Sequence, residues 1–330
     1  FELKKNDQFQ IIKIKDLNGK EHSFHRINSP IIEELFIPIG KDTIYAQLYR
    51  PKSKSKVPAC LILPGGGAIG IDNYISEARF LASNGIASLV FEKPGNGKSK
   101  GETDFRLQSF EEKINTYKEL FKFLREHPSS DKSKIGIHGP SEGGRLALMM
   151  ASDLKEKVAF VIGVSAPLMT MQEGQFYAMN QHHRIMQVEE IDNMNIQFIW
   201  KAYYDGIRKG KIDSTTIEKA LSYLEKNPRL FLPRHYEVPS SPRSEDLLNN
   251  RVLLESNQIT CPIFLQYGEN DTRVNAAKSI SNFSKNYLKD FDFKIYRRGN
   301  HSIMTPEFKI CTGYLHDKIK WLKNIKIITS

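Results

Sequence analysis

Chemistry in this 330-residue chain starts from a hydroxyl between glycines, Gly139-Pro140-Ser141-Glu142-Gly143, followed by Gly144. The preceding stretch, Ile135-Gly136-Ile137-His138, has the apolar character of a buried strand. The following one, Arg145 to Met150, has that of a helix. A serine on such a strand-to-helix turn presents Oγ as a nucleophile, and small neighbours let the two backbones close on each other. The turn also sets Ser141 at a helix N-terminus, where the dipole favours a developing anion. Attack of this hydroxyl on an acyl carbonyl is the chemistry the motif fits. Taken alone it is a weak signal, and its place between strand and helix strengthens it.

Such attack needs three further parts. Two N–H donors must face the oxyanion: one from Glu142, the residue after the serine, the other from a glycine loop after an earlier strand. Leu63-Pro64-Gly65-Gly66-Gly67 supplies that loop, with Gly66 favoured and Gly67 as the alternative. A phosphate loop fits less well, because no Gly-Lys-Ser/Thr follows. A carboxylate comes from Gly268-Glu269-Asn270-Asp271, where both acids qualify. An imidazole comes from His301, in Gly299-Asn300-His301-Ser302. Each alone reads as an ordinary loop residue. Serine, acid and histidine in that order, each after its own strand-like run, are a combination that chance seldom supplies.

The elements that must position them follow a βαβ rhythm. Apolar runs at 60–63, 87–91, 134–138, 158–164, 262–267 and 291–296 alternate with amphipathic stretches at 74–83, 110–126, 142–153, 276–287 and one ending near Lys323. This predicts an α/β fold, a mostly parallel sheet flanked by helices. Ile114, Tyr117, Phe121 and Leu124 form a core-facing stripe on the second helix. Residues 32–38 and 43–50 alternate around Gly40-Lys41-Asp42 and predict a hairpin. Between 166 and 258 strand patterns vanish. Helical patterns at 196–207 and 215–225 and a Pro/Ser-rich loop at 239–242 replace them, in a stretch too long for a loop. Three parts are therefore expected: an N-terminal extension (1–30), a core (31–165 and 259–330) and a helical cap (166–258) over the carboxyl ends of the strands.

Composition narrows the classes. The formal net charge is +10, but the lysines are scattered and no nucleic-acid recognition motif accompanies them, so a solvated surface is expected and no nucleic-acid partner. Three cysteines give no disulfide framework, and no spacing suits a metal, so neither metal nor cofactor is expected. No apolar run approaches the roughly 20 residues of a membrane span. The first residue is Phe1, which implies a removed leader or other appended segment. A soluble protein is expected, cytoplasmic or exported, its partner a small acyl substrate and its oligomeric state open.

Over all but about the first 30 residues the chain resembles the α/β-hydrolase superfamily, and within it the bacterial serine esterase and aminopeptidase-like group. The motifs above carry the likeness, with Glu92-Lys93-Pro94-Gly95-Asn96-Gly97-Lys98-Ser99 and residues 158–167. The resemblance implies a Ser141–His301–Asp271 triad, Asp271 being preferred because Gly-x-x-Asp-x-x-Val matches the group. It also implies a non-catalytic wall loop at 95–99. Pro64 stands where many relatives carry histidine, and Pro140 where histidine, tyrosine or glutamine is usual. The expected activity is carboxylic ester hydrolysis through an acyl-enzyme, with aminopeptidase or amidase, thioesterase or acyltransferase as alternatives, and a non-catalytic binding protein behind them. Phe198, Trp200, Tyr203 and Tyr204 could wall an apolar substrate pocket or pack the cap. Glu189 and Glu190 would serve a peptidase. His182-His183 is expected to face solvent and His138 to be structural, and Glu142 could face the site through its side chain or pair with Arg145.

Overall fold

The computed structural model describes residues 11–15, 21–25 and 29–329. Two short strands, β1 (Ile11–Lys15) and β2 (Glu21–His25), pair antiparallel with each other outside the main sheet. Apart from residues 29 and 30, the rest of the expected N-terminal extension lies outside the described residues.

The main sheet has eight strands. β3 (Ile31–Ile39) and β4 (Asp42–Arg50) form the expected hairpin. β5 (Val57–Ile62), β6 (Ala87–Phe91), β7 (Ser130–Pro140), β8 (Val161–Val164), β9 (Ile263–Gly268) and β10 (Asp292–Tyr296) are the predicted parallel strands, their ends shifted by a few residues. Their spatial order is β10-β9-β8-β7-β5-β6-β4-β3, and only the β3–β4 and β4–β6 pairings are antiparallel. Sequence order turns at β5–β6 beside β7, so the crevice at the carboxyl ends of these strands is where such a sheet binds ligands.

Helices cover both faces. α1 (Ile75–Ser83) and the last helix, α10 (Tyr314–Asn324), pack on one. α2 (Phe110–Glu126), α3 (Glu142–Leu154) and α9 (Ala276–Asn286) pack on the other. α2 spans the predicted residues because its N-terminus is closed by a capping box, Ser109 with Glu112, and its stripe of Ile114, Tyr117, Phe121 and Leu124 is buried in the core.

Between β8 and β9 the regular elements of the described chain are all helices: α4 (Met171–Ile185), α5 (Glu190–Lys209), α6 (Ser214–Lys226), α7 (Ser241–Leu248) and α8 (Arg251–Glu255). α4 to α7 have an apolar cluster of their own. Of the Pro/Ser-rich stretch read as a loop, Pro239 and Ser240 are non-helical, and Ser241 and Pro242 begin α7, with Pro242 in its first turn, where the missing N–H costs no helix bond.

Candidate active site

Ser141 follows β7 and opens α3 with φ 53° and ψ −122°, a conformation costly for a residue with a Cβ. Its backbone N–H is held by Val164 O at 2.7 Å. The turn closes this tightly because its neighbours lack side chains: a Cβ on Gly139 would lie 2.3 Å from the Gly143 carbonyl carbon.

Asp271 follows β9 and is 2% exposed. Its Oδ1 accepts the N–H groups of Arg273 (2.8 Å) and Val274 (2.9 Å), which fixes the carboxylate in its turn. Oδ2 lies 2.8 Å from His301 Nδ1. With the imidazole neutral, this contact puts the ring proton on Nδ1 and leaves Nε2 as the acceptor. Glu269 takes a different partner, the N–H of Arg298 at 2.9 Å, so the acid that meets the histidine is Asp271. The His301 loop is anchored from the residue after β8, where Ser165 Oγ donates to His301 O at 2.9 Å.

Ser141 and His301 line one cavity of about 430 Å³. Among the described residues no hydrogen bond yet joins Ser141 to His301, a loose state common in unliganded sites of this kind. Gly66, Glu142 and Arg145 line the cavity from the core, and Met171, Gly174, Ala178 and Phe231 from the helical segment. The glycine loop lies directly on the elbow: a Cβ on Gly65 would be 3.8 Å from Ser141 Cβ. Gly65 N–H is occupied, donating to Tyr74 Oη at 2.8 Å. Glu142 N–H, first in α3, has no partner within its helix, and neither it nor Gly66 N–H is a donor in any described hydrogen bond. Gly67 faces a second cavity of about 330 Å³, whose walls include Lys113, Glu142 and Asp246.

Several expectations are corrected here. Trp200, Tyr203 and Tyr204 do not reach the Ser141 cavity; they are the packed centre of the helical segment. Phe198, on another face of α5, is 59% exposed. Trp200 acts at one remove, donating from Nε1 to Phe231 O at 2.8 Å and so fixing a residue that does line the cavity. His183 is buried rather than solvent-facing. Its Nδ1 meets Asn193 Oδ1 at 2.8 Å and its Nε2 accepts Phe231 N–H at 3.1 Å, so it is neutral, and burial lowers its pKa accordingly. His182 Nε2 lies 2.8 Å from Arg229 O. Glu142 pairs with Lys113 of α2, Oε1 to Nζ 2.9 Å, not with Arg145. Arg145 is buried and donates to Pro167 O and Met169 O, holding the strap that leads into α4. Glu189 and Glu190 are exposed and do not line the cavity. His138 is structural as expected, its Nδ1 3.0 Å from Ile162 O.

The cavity walls on α4 were not anticipated. Thr170-x-x-Glu173 is a capping-box pattern, and the structure forms both of its hydrogen bonds. That pattern was the available signal for a helix at this point.

Residues 112–322, more than half of the chain, match the family described as BAAT / Acyl-CoA thioester hydrolase C terminal. The chain belongs to this family. Among curated relatives it is 29% identical over 162 residues to acyl-coenzyme A thioesterase 1 of Rattus norvegicus, a match covering 46% of this chain and 36% of the rat protein. It is 30% identical over 147 residues to the polyketide transferase claH of Penicillium crustosum, covering 44% of this chain and 46% of the relative. The matches thus span between about a third and half of these relatives' lengths. Among solved structures, Est1E from Butyrivibrio proteoclasticus with bound ferulic acid superposes with a TM-score of 0.57 at 17% identity, covering 88% of this chain and 96% of that one. At that identity the likeness speaks for the α/β-hydrolase fold alone. Among the described residues of this family member, no helix is long and apolar enough to cross a membrane.

Proposed function

We propose that the chain is a serine hydrolase that cleaves an acyl ester or thioester through an acyl-enzyme, with Ser141 as nucleophile, His301 as general base and Asp271 orienting the histidine. The observation that carries the reading is the shared cavity. A serine on a strained elbow and a histidine bonded to a buried aspartate line the same 430 Å³ space. In this mechanism Ser141 Oγ adds to the acyl carbonyl as its proton passes to His301 Nε2. Asp271 holds the Nδ1 proton and stabilises the imidazolium. The N–H groups of Glu142 and Gly66 donate to the oxyanion, Gly67 being the alternative donor. His301 returns the proton to the leaving oxygen or sulfur, and water then repeats the cycle on the acyl-enzyme. The segment 166–258 serves as the cap: α4 and Phe231 give the acyl group its apolar wall, and residues 31–165 and 259–330 form the core.

Ester cleavage is the reading that the sequence motifs favour. The family match and the thioesterases among the relatives specifically favour a thioester leaving group. No carboxylate of the helical segment lines the Ser141 cavity, which speaks against a peptidase that reads a free amine.

Ser141→Ala should lower kcat on p-nitrophenyl esters and on acyl-coenzyme A thioesters by at least about 10³-fold, and a fluorophosphonate should label Ser141 in the native protein. A panel of both substrate types across acyl lengths, beside aminoacyl anilides, ranks the leaving groups. Undiminished turnover by a folded Ser141→Ala protein would falsify the mechanism.

A further inference from the structure

Lys93 takes no part in the steps above, yet it is 1% exposed, and lysines are seldom so deeply buried unless paired. It lies just beyond β6, and its Nζ donates to two main-chain carbonyls, Gly65 O and Gly67 O, on either side of Gly66. The ammonium also sits 5.0 Å from the centroid of the Phe105 ring. The glycine loop is therefore held at three points: the Gly65 N–H by Tyr74 Oη, and the two carbonyls by one ammonium.

The consequence follows from peptide geometry. Gly65 C=O and Gly66 N–H belong to one peptide unit, and no described peptide bond is cis. In a trans peptide the two bonds point in opposite directions. Drawing Gly65 O inward to Lys93 turns Gly66 N–H outward, and Gly66 lines the cavity that holds Ser141. A charged donor on the carbonyl also polarises the N–H of the same unit. We propose that Lys93 is a positioning residue for the oxyanion loop, clamping the carbonyls of Gly65 and Gly67 so that Gly66 N–H faces the reacting carbonyl. The proposal rests on the oxyanion role given to Gly66 in the preceding reading.

The charge on this clamp is sensitive to pH. Burial draws the Lys93 ammonium down to about 8, opposed by Glu142 of α3 and by Glu92, and assisted by Lys113 of α2. Above that pH the neutral amine makes weaker bonds to both carbonyls. A structural lysine would not link loss of its own charge to kcat.

The test is Lys93→Met, which keeps the apolar stem and removes the donors. Outright loss of an oxyanion donor costs about 10²–10³ in kcat, and a misaimed one less, so kcat should fall about 10–100-fold. KM should stay within about 3-fold, because the loss is confined to the transition state. The wild-type kcat should decline as pH rises past about 8, and this decline should be absent from the variant. Lys93→Gln, with two N–H donors and no charge, covers the case that the methionine protein does not fold: its kcat should be intermediate and free of the decline. A folded variant with kcat within about 2-fold of wild type would overturn the proposal. So would a wild-type kcat that stays level well beyond the pH at which Lys93 loses its charge. If the wild-type protein turns over neither esters nor thioesters and resists the fluorophosphonate, the serine-hydrolase reading itself fails and takes this inference with it. An active, labelled wild type beside an unimpaired variant sinks the role of Lys93 alone.

Discussion

Ser141 holds a positive φ because the residues around it leave no room for a gentler turn. Gly143 approaches the loop after β5 so closely that a Cβ there would lie 2.6 Å from Leu63 O, and Gly139 lies against Gly143 itself. These are backbone atoms on both sides, so no rotamer change relieves the contact. Gly139→Ala should therefore destabilise the fold at the upper end of the roughly 1–3 kcal/mol typical of overpacking, or beyond it. It should also depress turnover in whatever folded protein remains, because the elbow must open to admit the methyl. Denaturant midpoints and the kcat of the soluble fraction measure both; an alanine protein as stable and active as wild type would show that the elbow has slack the geometry denies it. The elbow was legible in the sequence at this scale, since its glycines and serine are adjacent in the chain. The choice of Asp271 over Glu269 comes from the likeness of Gly268-x-x-Asp271-x-x-Val274 to the resembled group, not from the physics of the turn. Physically it depends on which carboxylate meets a histidine 30 residues away, and Asp271 is preselected by its bonds to Arg273 and Val274 N–H.

Elements with one buried face announced themselves; those with two did not. α2 was read correctly because its stripe faces a single core and its cap is a local motif. α4 escaped because it is half-buried nearly all round, between the Ser141 cavity and the helices behind it, so no clean stripe marks it. Periodicity located the buried face of α5 but not what it faces, which is why Trp200, Tyr203 and Tyr204 belong to the helical core and not to the pocket. α7 meets α2 through a contact that no local pattern predicts: Asp246 Oδ2 accepts Phe110 N–H at 2.7 Å. Burial raises the Asp246 carboxyl to about 6, although Phe110 N–H, Lys113 and Arg145 favour its charge. A carboxyl whose folded pKa is raised binds more protons folded than unfolded, so its contribution to stability falls as pH rises from about 4 to about 6. Asp246→Asn keeps the acceptor and removes the costly charge. It should match the stability of wild type near pH 4 and equal or exceed it above pH 6, as read by thermal unfolding across that range. A variant less stable at pH 7 than at pH 4, relative to wild type, would mean that attraction to Lys113 and Arg145 outweighs burial.

Across the whole molecule, the candidate site is assembled from loops that follow β5, β7, β9 and β10, so it depends on the sheet staying in register under its two helical layers. On the face opposite α2 and α3 that layer is tied by charge. Glu77 of α1 bonds Lys318 of α10 and lies 3.0 Å from His138 Nε2 of β7, three residues before Ser141. The His138 contact falls short of a well-aligned hydrogen bond. Lys318 is fully buried, so its charge depends on Glu77. Burial alone would raise the Glu77 carboxyl, but His138 and Lys318 overcome it and hold the group well below the usual carboxylate range. Glu77→Gln leaves a buried ammonium without its counter-charge, a loss that costs about 3–5 kcal/mol. Because the folded pKa is lowered, the stabilisation is complete above the ordinary value of 4.5 and drains away as pH falls below it. The gap between wild type and Glu77→Gln should thus narrow in acid, where Glu77 takes up its proton. Lys318→Met added to Glu77→Gln should recover much of the loss, since an apolar replacement needs no partner. Urea unfolding of the three proteins at several pH values makes the comparison. A double variant no more stable than Glu77→Gln would show that α10 is held by packing around Trp321 and Leu322, and that the ion cluster contributes little to keeping the crest of the sheet in place.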